Sequence, residues 1–273
     1  MLSLNTNVAA MAAAQALNRI GADMTATQQR ISTGRKVNGP EDNPAIFSVA
    51  QGLRAEMKAN EAVQSVLGGV RGLLGVTNSA LKSVSDQMGQ IRDTLTRLSD
   101  ANLSADQRAQ YTAAYAAQRA SLQGTIQDAT FNGRSLLDGG AAGFGNITAL
   151  RSTDGGTFTI ASTDLIAGAY DLLTDVADAA AAQTLLAGGF ATAQQNVGTA
   201  MGSYGAAAQR IDGQVSFLKE IRSSLERGLG ALVDADLAQE SAMLSALQVR
   251  QQLAAQALSI ANSSPQIILS LFR

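Results

Sequence analysis

The sequence contains no cysteine and no histidine, and it also lacks tryptophan. These absences exclude Ser-His-Asp and Cys-His catalysis, zinc sites of the usual ligand sets, haem ligation and disulfide bonds. Aromatic residues make up only 4% of the chain, which leaves little material for base-stacking platforms or aromatic ligand pockets. The paired acids (Glu41 with Asp42, Asp234 with Asp236) are typical of caps and solvated turns. The sequence therefore predicts no enzyme, no cofactor and no metal site.

A strong net charge and long apolar runs are missing as well. The formal net charge is −2, so no strong field indicates binding to nucleic acid or to an anionic membrane. No stretch reaches the roughly 18 apolar residues of a membrane span. The first 18 residues carry no lysine or arginine, unlike a cleavable secretory signal. We expect no nucleic-acid partner, no membrane insertion, and export, if it occurs, by a route that retains the N-terminus.

Two long segments carry apolar residues in alternating steps of three and four, which is the heptad pattern of packed helices. In residues 60–98 one row consists of Leu67, Leu74, Leu81, Met88 and Leu95, and the second consists of Val63, Val70, Val84, Ile91 and Leu98, with Thr77 in the weak slot. In residues 197–232 the row consists of Val197, Met201, Tyr204, Ala208, Ile211, Val215, Leu218, Leu225, Leu229 and Leu232, interrupted at Arg222. Either segment alone fits an ordinary helical bundle. Two matched segments far apart in sequence favour an antiparallel, rod-shaped pair with a core that includes Leu67, Leu74, Leu81, Met88, Leu95, Ile211, Val215, Leu218 and Leu225.

Cap and turn residues predict where the helices begin and end. Asn43 before Pro44 indicates an N-cap with proline in the first turn, and Ser104 with Gln107 indicates a capping box. Asn132-Gly133 predicts a turn. Residues 141–171 are rich in glycine and threonine. Apolar and polar residues alternate around Phe158 and Ile160, which predicts a small strand-and-loop insertion. The glycines inside the first heptad segment, which predict close approach of another helix, are Gly68, Gly69, Gly72 and Gly75.

The last forty residues have apolar side chains on two nearly opposite sides of a helix. Leu237, Leu244, Leu247 and Leu258 lie on one side, and Val249, Leu253, Ile260 and Ile267 lie on the other. A helix that is apolar on two faces must be buried on two faces. The N-terminal helix can cover one of them with the row that contains Leu17, Met24 and Ile31, while Leu4, Val8 and Met11 fall on a different face.

Nothing else in the chain remains to cover the second face, so we infer that other copies of the molecule cover it. Copies that join head to tail without closure form a helical filament. The predicted self-assembly residues are Leu4, Val8, Met11, Leu17, Met24, Ile31, Leu237, Leu244, Leu247, Val249, Leu253, Leu258, Ile260, Ile267 and Leu271.

Four stretches of the chain resemble signatures of the bacterial flagellins. They are SLNTNVAA at residues 3–10, ISTGRKVNGPEDNPA at 31–45, FNGRSLLDG at 131–139, and the ending LVDADLAQESAMLSALQVRQQLAAQALSIANSSPQIILSLFR at 232–273. The ending is the strongest match. The resemblance that these stretches mark extends over nearly the whole chain except residues 141–190.

The resemblance implies a mainly α fold: an elongated antiparallel helical rod, coiled-coil-like, with paired terminal helices and a small β/loop insertion. Residues 1–40 and 234–273 would form the inner tube of a filament, and residues 41–140 and 175–233 the rod around it. Residues 141–174 would face solvent, which makes this a short form with a reduced variable domain.

The resemblance also implies partners and a location. The protein would be secreted unfolded through the flagellar type III export apparatus and would add to an extracellular filament beneath a cap protein, next to junction proteins. Residues 236–273 would bind an export chaperone. In flagellins that the innate receptor detects, an arginine-rich stretch corresponds to residues 90–98. Arg92 fits that pattern whereas Gln90 and Thr94 depart from it, so we expect weak or absent activation in a cell-reporter assay.

Three other functions compete with a filament subunit. A hook–filament junction protein has similar termini, but it usually lacks the SPQIILSLFR ending and has a larger middle; it would form a short ring. An unrelated export-system needle or translocator protein could share the heptads but not four ordered signatures. An enzyme would need a catalytic constellation that the sequence does not contain.

Overall fold

The computed structural model describes the backbone of residues 7–271 and the side chains of residues 7–263. The helices are α1 (Val8–Thr33), α2 (Pro44–Leu98), α3 (Ala105–Gln127), α4 (Ala179–Leu185), α5 (Ala191–Val233) and α6 (Leu237–Leu271), with π-helical turns at Ile166–Tyr170 and Leu186–Phe190. The strands are β1 (Thr130–Phe131), β2 (Arg134–Ser135), β3 (Ile147–Leu150) and β4 (Thr157–Ile160). The predicted mainly α fold is confirmed. No helix in this described part is apolar over enough length to cross a membrane.

The predicted helix starts are capped as the residues indicate. The Asn43 side chain accepts a hydrogen bond from the Ile46 N–H at 3.0 Å, directly before Pro44. Ser104 and Gln107 form the full capping box, because each side chain accepts from the other residue's backbone N–H. These contacts satisfy N–H groups that a helix leaves without partners in its first turn.

The chain divides into two compact units. The smaller one combines residues up to Ala55 with residues from Ser223 onward, and the larger one spans Glu56–Arg222. Both boundaries fall inside helices, α2 and α5. They differ from the expected segment borders near residues 40 and 234, and the assignment of segments to tube and rod stays a prediction.

The core of the larger unit is built from the heptad rows. Leu67, Leu74, Leu81 and Leu95 are fully buried, and Met88 is nearly so. From α5, Ile211 and Leu218 are buried and Val215 is half-buried. Leu225 is half-buried and belongs to the smaller unit. Thr77, the polar residue in the second heptad row, is buried too. Its hydroxyl donates a hydrogen bond to the Leu73 carbonyl at 2.9 Å, so the buried hydroxyl has a partner.

The α2 and α5 segments of this unit run antiparallel. Arg71 Nε lies 2.8 Å from Asp212 Oδ1, and Met88 lies beside Val197 around one cleft. One predicted core position is wrong: Met201 is 38% exposed. Met201 lines a gap between α2 and α5, together with Gly89 and Gly198, and its side chain is therefore open to solvent.

Two hairpins follow α3. In the first, Asn132 and Gly133 have φ values of 50° and 72°, so the predicted turn joins β1 to β2 in the left-handed geometry of a tight hairpin. In the second, β3 pairs antiparallel with β4, and Ile147 faces Ile160. The alternation predicted for the insertion is confirmed, because Ile147, Ala149 and Ile160 point into the core while their neighbours do not.

The four glycines of the first heptad segment do not share one explanation. A Cβ on Gly72 would lie 2.8 Å from Phe131 Cζ, so close packing requires glycine there. A Cβ on Gly68, Gly69 or Gly75 would meet no atom within 4 Å, and the close neighbour of Gly72 lies on β1. The expected close approach of another helix is therefore wrong within one copy.

Alanine substitutions should separate these two kinds of glycine. Gly75→Ala is expected to raise the free energy of unfolding of the monomer by up to about 1 kcal/mol, because alanine favours helix. Gly72→Ala should lie about 1–2 kcal/mol below Gly75→Ala, because the added methyl group displaces the Phe131 ring. Denaturant unfolding of the two variants makes the comparison, and equal stabilities would contradict the packing role of Gly72.

Two buried tyrosines, on α3 and α5, hydrogen-bond to the segment of the chain between α3 and α4. The Tyr115 hydroxyl donates to the Thr174 carbonyl at 2.8 Å, and the Tyr204 hydroxyl donates to the Leu136 carbonyl at 3.0 Å. Burial raises the pKa of Tyr115 to about 12 and also raises the pKa of Tyr204 above its ordinary value. Both phenols are therefore held neutral in the fold.

These shifts predict a loss of stability in alkali. Near neutral pH both phenols are protonated in the folded and in the unfolded chain, so their full contribution to the free energy of unfolding is present. Above about pH 10 the unfolded chain releases these protons first, and the free energy of unfolding falls until Tyr115 titrates in the fold at about 12. Denaturant midpoints measured across this range should fall less steeply for Tyr115→Phe than for the parent. Parallel declines would show that other groups cause the loss.

Candidate assembly surface

The smaller unit is organised around an antiparallel pair of α1 and α6. The Asn7 side-chain amide donates to the Ala261 carbonyl at 2.8 Å. Arg30 Nη1 lies 3.5 Å from Glu240 Oε1. As the residue number rises along α1 it falls along α6, so the two chain ends form one helical hairpin.

The segment that connects α1 to α2 is hydrogen-bonded to the segment that connects α5 to α6. We call these two segments the crossovers. Lys36 N–H donates to the Val233 carbonyl at 2.7 Å, and Ala235 N–H donates to the Gly34 carbonyl at 3.0 Å. Gly34 has φ of 68°, which ends α1 in the left-handed region. Lys36 Nζ also donates to the Ala231 carbonyl at 3.0 Å near the C-terminus of α5. There its positive charge complements the negative end of the helix dipole.

The loop before α2 is closed by its own acidic residue. Asp42 Oδ2 accepts hydrogen bonds from the N–H groups of Asn38 and Gly39, at 2.8 and 3.2 Å. These two N–H groups hold the pKa of Asp42 below its ordinary value. The stretch NGPEDNP thus specifies the path of the crossover rather than a catalytic site.

The facing sides of α1 and α6 carry the row of residues that the sequence predicted. On α1, Leu17, Met24 and Ile31 are half-buried, and Thr27 is buried between them. On α6, Leu247 is buried, while Leu244 and Leu258 are half-buried. Burial on this side is incomplete because two helices alone cannot enclose an apolar row.

The opposite side of α6 is an exposed apolar surface. Val249 is 55% exposed, Leu253 62% and Ile260 65%. Met243 on α6 is exposed as well, as are Val8 and Met11 on α1. Leu237 in the first turn of α6 is 50% exposed, although the sequence placed it on the covered side with Leu244 and Leu247. We call Val8, Met11, Leu237, Met243, Val249, Leu253 and Ile260 the open face. Large apolar side chains exposed together mark an interaction surface in a protein of this kind.

Some predicted residues are not tested by these contacts. Leu4 lies outside the described residues. Ile267 and Leu271 lie on the helical backbone of α6, but their side chains are outside the described part. The self-assembly role of the whole set stays a prediction. Met243 of the open face and Val49 on α2 are exposed as well, although sequence reasoning did not name them and no periodic signal marked either of them.

The stretch compared with the innate-receptor motif presents only part of its residues. Gln90 and Arg92 are exposed on α2, whereas Thr94 is 8% exposed and donates to the Gln90 carbonyl at 3.1 Å. Thr94 therefore faces the core. Of the two departures from the motif, Gln90 is the one that is exposed to solvent.

Comparison with known proteins agrees with this arrangement. The bacterial flagellin N-terminal helical region matches residues 4–142, and the C-terminal helical region matches residues 188–272. Flagellin FljO of Caulobacter vibrioides is 36% identical, covering 99% of this chain and 98% of the relative. A flagellin of Brucella melitensis is also 36% identical, covering 100% of both.

Solved structures share the fold. A Bacillus cereus flagellin superposes with a TM-score of 0.53 at 24% identity, covering 56% of this chain and 88% of that one. A structure described as a flagellar hook-associated protein from Vibrio parahaemolyticus has a TM-score of 0.59 at 16% identity, covering 71% and 100%. The fold alone thus fits filament and hook-associated proteins, whereas the full-length sequence relatives are flagellins. Two family models that together span most of the chain, and these relatives, show that the chain belongs to the bacterial flagellin family.

Proposed function

We propose that this protein is a structural subunit of the bacterial flagellar filament and polymerises through the open face of α1 and α6. The observation that carries this is the concentration of exposed apolar side chains on the terminal pair. Of the twelve large apolar residues that are exposed among the described residues, seven form the open face.

The energetics favour burial of this face against other copies. Burying a valine, leucine or isoleucine side chain is worth roughly 1.5–3 kcal/mol. Val249, Leu253 and Ile260 alone would contribute several kcal/mol for each subunit added. The family is one of structural proteins, and the mechanism needs no reaction: packing between subunits transmits torque from the motor along the filament.

The location follows from family membership, and the apolar surface supports one further partner. The filament is extracellular, so the chain must be secreted. We propose that an export chaperone covers α6 before assembly, because the same apolar residues would otherwise associate inside the cell. Contacts with the type III export apparatus, the cap and the junction proteins belong to this proposal and rest on family membership.

The test is polymerisation of the purified full-length protein. Monomer is mixed with sheared filaments as seeds, and growth is followed by sedimentation and electron microscopy. Long filaments are expected. Short rings that do not grow would favour the hook–filament junction protein, and a monomer that never assembles would contradict the proposal.

A further inference from the structure

The gap beside Met201 is a cleft between α2 and α5 in the larger unit. Its volume is about 230 Å³. Gly89 on α2 and Gly198 on α5 both line it, and a Cβ on either would meet no atom within 4 Å. Space for a side chain therefore exists where each helix supplies none.

The lining of this cleft combines apolar side chains with the polar Ser85 and Gln194, and a positive charge lies at its edge. Met88, Phe190 and Val197 are buried around it, and Met201 is partly exposed to it. Arg92 also lines the cleft and is exposed. Among the described residues no carboxylate lies within salt-bridge distance of its guanidinium group. A partner surface that fits this cleft would present an apolar side chain to its interior and a carboxylate from a neighbouring residue to Arg92.

The chain itself presents such a pair. Phe217 on α5 is 53% exposed, and Glu220 follows three residues later, so both lie on one side of the helix. Glu220 is exposed, and in the described part of the chain no lysine or arginine lies within salt-bridge distance of it. Half-buried Ile221 extends the apolar surface next to Phe217.

The other exposed apolar residues fit the cleft less well. Leu150 lies on β3, and Thr148, two positions away on the same face of the strand, carries no carboxylate. Val66 has no acidic residue one helical turn away. Leu237 has Glu240 at that spacing, but Glu240 is paired with Arg30. Phe217 is the described exposed apolar side chain that combines an aromatic ring with an available carboxylate.

Phe217 cannot fill the cleft of its own chain. It lies on the same helix as Gly198, and the helical rise of 1.5 Å per residue separates them by about 28 Å. The occupant must therefore come from a second copy.

We propose that Phe217 of one copy inserts into the cleft beside Gly89 and Gly198 of the next copy, with Glu220 pairing with Arg92. The two surfaces differ, so the contact is head to tail and leaves one free cleft and one free Phe217 at the ends of any row. This inference rests on the proposed filament and adds a second contact, separate from the open face of α1 and α6.

Charge reversal tests the ion pair across copies. Arg92→Glu and Glu220→Arg are each expected to raise the critical concentration for polymerisation at least about tenfold, because like charges then meet at the contact. The double variant Arg92→Glu/Glu220→Arg should return to within about threefold of the parent, because the pair is restored in reverse. Both residues are exposed, so the monomers should fold, as circular dichroism can confirm. Single variants that assemble like the parent, or a double variant no better than its components, would overturn the proposal.

A cross-link tests the geometry directly, since the chain contains no cysteine. The variant Gly89→Cys/Phe217→Cys, polymerised and then oxidised, should form a ladder of covalent oligomers on a non-reducing gel. The control Gly89→Cys/Gln110→Cys places its second thiol on exposed α3 and should remain mainly monomeric. Equal ladders, or none in the first variant, would contradict the contact.

The two proposals fail in different ways. If the parent chain does not polymerise with seeds, the filament function itself is wrong. If the parent assembles normally while the charge-reversal and cysteine variants behave as controls, only the contact between Phe217 and the cleft is wrong.

Discussion

Replacing Leu253 by aspartate is expected to abolish polymerisation at concentrations at which the parent chain assembles. Leu253 is 62% exposed in the isolated chain and lies at the centre of the apolar side of α6, between Val249 and Ile260. Assembly would bury it, so Leu253→Asp removes the gain of burial and adds the cost of desolvating a charge.

The size of the effect follows from these two terms. Loss of a buried leucine is worth roughly 1.5–3 kcal/mol, and an unpaired buried carboxylate costs further free energy. A combined penalty above about 3 kcal/mol raises the critical concentration more than about 100-fold. Sedimentation after seeding measures this concentration.

The matched control is Leu150→Asp. Leu150 is also an exposed leucine, but it lies on β3 of the insertion. We expect Leu150→Asp to polymerise like the parent, and both variants to have the circular dichroism spectrum of the parent monomer. If Leu253→Asp forms filaments as readily as Leu150→Asp does, the open face is not the assembly surface.

In the monomer, the amide protons of α1 and α6 should exchange at least about 100-fold faster than those of residues 67–95 on α2. Among the described residues of the smaller unit only Thr27, Val37, Gly39, Ala50, Val233 and Leu247 are buried. The larger unit has a continuous core that runs from Val63 to Leu218. Helices with few buried apolar contacts open locally at low cost.

Polymerisation should remove this difference. Once the open face is buried, exchange in α1 and α6 should slow to the level of α2, and proteolysis at the chain ends should stop. Hydrogen exchange of monomer and filament, compared peptide by peptide, provides the measurement. Terminal helices already protected in a monomer would show that the apolar surface is satisfied within one copy.

Much of the fold could be predicted because its helices obey local rules. The two long heptad segments, the caps at Asn43 and Ser104, and the turn at Asn132-Gly133 all depend on residues close in sequence. The two-sided character of α6 was also visible from spacing alone. Within the described part of α6, the structure places Leu247 inside and Leu253 outside, as the helical period requires.

The remaining features depend on contacts that periodicity does not contain. Met201 satisfies the apolar pattern, but it lines the gap between α2 and α5 and stays 38% exposed. Gly72 and Gly75 look alike in sequence, and only the position of Phe131 distinguishes them. The pairing of Lys36 with Ala231 and Val233 joins residues nearly 200 positions apart and has no sequence signal.

The hydrogen-bonded crossovers at Gly34–Lys36 and Val233–Ala235 also constrain the order of folding. The contacts between α1 and α6 join residues as far apart as Asn7 and Ala261, 254 positions along the chain. Closing so long a loop is entropically costly, and the cost falls once the intervening residues have folded. The larger unit should therefore form first and bring the crossovers together. A chain with either end held in an extended state would fold the larger unit first, and α1 and α6 would pair last. The open face that joins copies would therefore be completed only when both ends are free.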